Sequence, residues 1–111
     1  MNTPTTHIPL EVMQDAAGRA CAILKVLANQ DRLLLLCSIA EREMAVGALE
    51  EQLGIRQPTL SQQLGILREH GLVNTRREGK SIFYSLKSTE VQALMQVLYE
   101  QFCMKSETAC R

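Results

Sequence analysis

From residue 10 to residue 27 the positions Met13, Ala16, Ala17, Ala20, Cys21, Leu24 and Leu27 recur at helical spacing, which predicts an amphipathic first helix. Asn29 suits the cap of a second helix, with Asp31 in its first turn, where the backbone dipole favours an acid. That helix carries Leu33-Leu34-Leu35-Leu36-Cys37 and Ile39-Ala40. It is apolar nearly all round and is expected at the centre of the core. A short third helix is read over 45–53, with Gly54 just past its end as a C-terminal cap. Pro58 suits the first position of a fourth helix, where its missing N–H costs nothing. This helix runs to His70, stops at Gly71, and has Leu60, Leu64 and Leu67 as its inner stripe. After Gly71 the period changes. Residues 72–77 and 81–86 are rich in β-branched and aromatic side chains, and Glu78-Gly79-Lys80 between them reads as a hairpin turn. Ser88 can cap a last helix whose apolar stripe is Val91, Leu94, Met95, Leu98 and Phe102.

Helix, short Gly-containing turn, helix is the helix-turn-helix signature. The chain is therefore expected to be mainly α with a β-hairpin wing, a winged helix-turn-helix. The fourth helix is polar in front and apolar behind, as a helix entering a DNA major groove must be. Thr59, Ser61, Gln62 and Gln63 are read on its outer side, with Gln57 at its entry, and no acidic residue falls between Ile55 and Arg68. Gln pairs with adenine edges, and Ser and Thr donate to bases or phosphates. Arg76, Arg77 and Lys80 gather at the hairpin tip, and Arg68 ends the helix, all suited to phosphates. Net charge is zero, yet residues 54–87 hold six cations against two carboxylates while both flanks are acidic. A phosphate backbone needs only one positive face. The first and last helices carry more apolar surface than one small core needs. A homodimer through them would bury it and present two reading helices to a palindromic operator; a thicker monomer core is the alternative.

At 111 residues one folded domain is expected over 9–104, with a disordered arm over 1–8 and a flexible tail over 105–111. No apolar run reaches about 18 residues, and the N-terminus lacks a basic-then-apolar leader, so a cytoplasmic location is expected. No catalytic constellation or phosphate loop is visible; neither enzyme activity nor a cofactor is expected. The four cysteines, Cys21, Cys37, Cys103 and Cys110, include no CxxC and no Cys/His pair at finger spacing. They stand open as buried apolar residues, metal ligands or redox-active thiols. His7 and His70 do not suggest ligands. Gly65 is unexplained, because a glycine inside a helix costs about 1 kcal/mol against Ala.

Over residues 17–102 these features resemble the ArsR/SmtB family of winged-helix repressors. The most specific stretches are Ile55-Arg56-Gln57-Pro58-Thr59-Leu60-Ser61-Gln62-Gln63-Leu64, then Leu67-Arg68-Glu69-His70-Gly71-Leu72-Val73 and Arg76-Arg77-Glu78-Gly79-Lys80. Leu-Ala-Asn-Gln-Asp-Arg-Leu at 27–33 resembles the entry to the family's second helix. The chain departs from the family's metal sensors. It has no Cys or His over 44–51, where they carry a Cys-x-Cys cluster, and no His or Asp over 89–102, where they bind zinc. What remains, Cys37 and Cys103, is similar to the persulfide- and sulfide-responsive branch. There the resemblance implies two nearby thiols that reactive sulfur species, such as low-molecular-weight persulfides, join by a di- or polysulfide link, releasing DNA. Cys21 is expected to pack in the core and Cys110 to be a bystander. A peroxide sensor, a soft metal or metalloid sensor helped by Cys21 or Cys110, and a transcriptional activator are the alternatives.

Overall fold

The computed structural model describes residues 7–104. The elements run α1 (Leu10–Leu27), α2 (Gln30–Glu41), β1 (Met44–Ala45), α3 (Val46–Leu53), α4 (Thr59–Glu69), β2 (Val73–Glu78), β3 (Ser81–Leu86) and α5 (Thr89–Leu98), and a π-helical turn, Tyr99–Met104, continues α5. This is the winged helix-turn-helix expected, with one strand added. Local chemistry sets the boundaries. Asn29 Oδ1 accepts from the Arg32 amide at 3.0 Å and opens α2. Ser88 Oγ accepts from the Val91 amide at 3.1 Å and opens α5. Gly54 closes α3 in the left-handed region at φ 72°, where a side chain would be strained.

The core is built around α2. Its Leu35, Leu36 and Ile39 meet Leu49 of α3, Leu60, Leu64 and Leu67 of α4, and Val91 of α5, all essentially solvent-free. Among the described residues no polar or charged side chain is buried. The expectation that α2 is enclosed on every side needs correcting, because Leu34 and Cys37 face outward and are exposed. α1 is less embedded still: only Val26 and Leu27 at its end are buried, and Val12, Met13 and Leu24 are exposed. Cys21 is exposed with them, so it does not pack in the core of a single chain. Only the C-terminal part of this 18-residue helix packs on the core, with Ile23 partly buried ahead of Val26 and Leu27. Cys110, the tail over 105–111 and residues 1–6 of the expected arm lie outside the described residues; His7 and Ile8 are exposed.

β2 and β3 pair in antiparallel register from Val73↔Leu86 to Glu78↔Ser81. The two-residue turn Gly79-Lys80 joins them, with Gly79 at φ 62°, and positive φ matches the strand twist of a tight hairpin. β1 adds to the other side of β3 through Met44↔Tyr84 and Ala45↔Phe83, giving the order β1-β3-β2. The wing is thus anchored at its base to the chain that leads into α3. Among the described residues no helix is long and apolar enough to cross a membrane.

Candidate nucleic-acid interface and thiol groove

The α4 stripe of Leu60, Leu64 and Leu67 is fully inserted into the core, so the opposite side of α4 must face out. Thr59, Ser61, Gln62 and Arg68 are exposed there. Ser61, Gly65 and Arg68 form one wall of a cleft of about 500 Å³. Lys80, Ser81 and Ile82 of the wing form the facing wall, and Val46 and Gly47 close one end. Arg77 is exposed on the wing. These residues make a cationic, hydroxyl-bearing surface between a helix and a hairpin, shaped to receive a polyanionic strand.

Three residues expected on this surface are committed elsewhere. Gln63 is half-buried, and its Oε1 accepts from Arg32 Nη1 at 2.9 Å. Arg32 also donates through Nε to the Val26 carbonyl at 2.6 Å. Gln63 therefore ties α4 to α2 and to the end of α1 rather than facing out. Gln57 is exposed, but its Oε1 accepts from the Ser61 amide at 3.1 Å and satisfies a free donor at the start of α4. Arg76 grips Glu43 through two bonds of 2.9 and 2.7 Å, lies 3.6 Å from Glu78, and stacks over Phe83 at 4.7 Å. The guanidinium bond holds the Glu43 carboxyl below the usual carboxylate range, and the carboxylate raises Arg76 in turn. Arg76 fastens the wing to the segment before β1 instead of reaching from its tip. The linked carboxylate is depressed, so this clasp holds above the carboxylate range and loosens as pH falls through it.

On the other side of α2 lies an apolar groove of about 630 Å³ against α5 and its π-helical turn. Leu33, Leu34, Leu98 and Phe102 wall it, and both Cys37 and Cys103 open into it. Gln92 Nε2 donates to the Ala40 carbonyl at 3.2 Å and closes one end. The π turn explains how the two cysteines come together. At about 100° per residue an unbroken α-helix would carry Cys103 about 80° round from Met95. The wider i→i+5 turn rotates less per residue and returns Cys103 to the groove side.

Burial by the groove walls, with the neighbouring Cys103 charge as a second cause, pushes the Cys37 thiol above its ordinary value. A raised thiol pKa means the folded environment favours the neutral S–H. Alkylation of Cys37, followed by mass spectrometry with Cys21 and Cys110 replaced by Ser, is therefore expected to have a midpoint above that of a free cysteine. Adding Cys103→Ser removes the like charge and lowers the midpoint, but not to the free value, because burial remains. A midpoint unmoved by Cys103→Ser would show that the two sulfurs do not sense each other. Among the described residues no three His, Cys, Asp or Glu side chains are grouped to hold a metal.

Residues 29–75, which contain α2 to α4 and the start of the wing, match the model of the family described as "Bacterial regulatory protein, arsR family". A biofilm growth-associated repressor of Agrobacterium fabrum is 51% identical over 101 residues, covering 91% of this chain and 86% of that protein. The crystal structure of the transcriptional repressor BigR from Xylella fastidiosa superposes with a TM-score of 0.80 at 48% identity, over 86% of this chain and 98% of that one. Reduced HlyU from Vibrio cholerae superposes with a TM-score of 0.81 at 42% identity, over 84% and 98%; that protein is named a transcriptional activator. With its helix-turn-helix, its pinned wing and these relatives, the chain belongs to the arsR family of bacterial regulatory proteins and is a DNA-binding transcriptional regulator, not an enzyme.

Proposed function

We propose that this protein is a homodimeric repressor that holds operator DNA while Cys37 and Cys103 are thiols and releases it when a persulfide joins them. The observation that carries the reading is the shared groove: two cysteines 66 positions apart in sequence line one apolar cavity. The chemistry balances without a cofactor. One thiolate takes the outer sulfur of glutathione persulfide and expels glutathione. The second thiolate attacks the new cysteine persulfide and expels hydrosulfide. Two thiols are oxidised to a disulfide while the persulfide is reduced to glutathione and hydrogen sulfide. The link ties α2 to the end of α5, and α2 is bonded to α4 through Arg32 and Gln63. Apolar exposure on α1 and on the end of α5, including Met13, Leu24, Val97 and Phe102, supplies the surface a second copy would cover. The reading side chains are Thr59, Ser61 and Gln62, with Arg68, Arg77 and Lys80 on phosphates.

Mass spectrometry and gel shifts after treatment with glutathione persulfide test this reading. A Cys37–Cys103 crosslink that lowers operator affinity supports it. Crosslinking by peroxide but not by persulfide would assign the signal to a peroxide instead. The relative named as an activator favours a second reading, in which the chain raises transcription. A promoter–reporter strain lacking the gene separates the two by the sign of the change.

Gly65 finds a role on this surface. A Cβ built there meets nothing within 4 Å, so packing does not require glycine. Gly65→Ala is expected to stabilise the fold by about 1 kcal/mol, read by thermal melting. It is expected to weaken operator binding, because the methyl group stands in the cleft between α4 and the wing. Equal affinity in both proteins would remove the nucleic acid from this cleft.

A further inference from the structure

The groove between α2 and α5 holds a third sulfur that the thiol switch does not use. Met95 is buried, and the Cys37 thiol donates to its Sδ at 3.6 Å. Met95, Cys37 and Cys103 line the same cavity. We propose that these three residues form a three-sulfur binding site for Cu(I).

Two sulfurs 3.6 Å apart lie within the span of one ion bound to each at about 2.3 Å, the length of a zinc–thiolate bond. Thiolate and thioether are soft donors, a set that selects Cu(I) over harder cations. Zinc prefers four nitrogen, sulfur or oxygen ligands. Among the described residues no cluster of three His, Cys, Asp or Glu exists to supply them. Gln30, Glu41, Gln92, Gln96 and Tyr99 also line the groove, but their oxygen and nitrogen atoms are hard donors that suit Cu(I) less well than sulfur. Binding needs no oxidant: Cu(I) displaces two thiol protons, forms two Cu–S(thiolate) bonds and one Cu–S(thioether) bond, and keeps its oxidation state. A cation between two neighbouring thiolates also offsets their repulsion. The site shares its thiols with the persulfide switch but does not depend on that switch.

The test is anaerobic titration of the reduced, full-length protein with Cu(I) against a chromophoric Cu(I) chelator, with X-ray absorption on the loaded protein. One Cu(I) per chain in a three-sulfur shell is expected. Met95→Leu, a volume-conserving change, is expected to cost at least about tenfold in Cu(I) affinity while leaving the persulfide crosslink intact. Cys37→Ser is expected to lose both. Replacing Cys21 and Cys110 together by Ser should leave the copper site unchanged. A shell with nitrogen or oxygen donors, a shell of only two sulfurs, or full affinity in Met95→Leu overturns the proposal. Should Met95→Leu fail to fold, the wild-type shell decides alone. Three-sulfur binding without any persulfide crosslink would sink the switch and leave the copper site standing.

Discussion

Cys37→Ser is expected to leave a folded protein that binds its operator and no longer lets go when treated with persulfide. Cys37 sits at the surface of α2 beside, not within, the solvent-free core of Leu35, Leu36 and Ile39. Replacing its sulfur by oxygen therefore perturbs packing little, and exposed substitutions usually stay within about 0.5 kcal/mol. The functional loss is far larger. A regulator works through the difference in DNA affinity between its two states, typically about 1–3 kcal/mol, or about 5–150-fold in binding. Without one thiol the disulfide cannot close, and that whole factor disappears. Gel shifts with and without glutathione persulfide measure it. Cys103→Ser should behave in the same way, whereas Cys21→Ser should retain release, since Cys21 lies on α1 and does not line the groove. If Cys37→Ser still releases DNA to the wild-type extent, the switch does not run through this pair.

The parts of this design legible in the sequence are those set by local rules. The α4 stripe at Leu60, Leu64 and Leu67, the Asn29 and Ser88 caps and the left-handed Gly54 each depend on residues within one or two turns. All are where the sequence placed them. The pieces that escaped are long-range or irregular. β1 has two residues, too short to show a period, and exists because β3 offers it an edge. Gln63 reads as an outward polar residue until Arg32, 31 positions earlier, is folded against it. Arg76 reads as a free cation until Glu43, 33 positions earlier, is brought beside it. The α-helical spacing that puts Phe102 on the inner stripe fails beyond Leu98, where the π turn re-aims the chain and Phe102 becomes a groove wall. That same turn brings in Cys103, so helical period alone could not pair the two cysteines.

Leu64→Ala is expected to have the largest effect on stability, and to weaken DNA binding as the assay approaches its lowered melting temperature. Leu64 is 1% exposed, and it seats the middle of α4 against the centre of the core. Truncating a buried Leu loses transfer energy and leaves a cavity, together costing about 2–5 kcal/mol. A domain of this size has about 5–15 kcal/mol in total. For a domain near 100 residues each kcal/mol lowers the melting temperature by about 4–8 °C, so a fall on the order of 10–30 °C is expected by calorimetry. The control is Gln62→Ala, two positions away but on the exposed face. It should melt within a few degrees of wild type yet lose affinity by about 1–3 kcal/mol at sites where an adenine edge is read. The pair separates two kinds of loss on one helix. Leu64→Ala weakens binding to every sequence because fewer molecules are folded, while Gln62→Ala weakens binding to particular sequences with the fold intact. A Gln62→Ala protein that keeps its affinity and its sequence preference would place base reading elsewhere than on the outer face of α4.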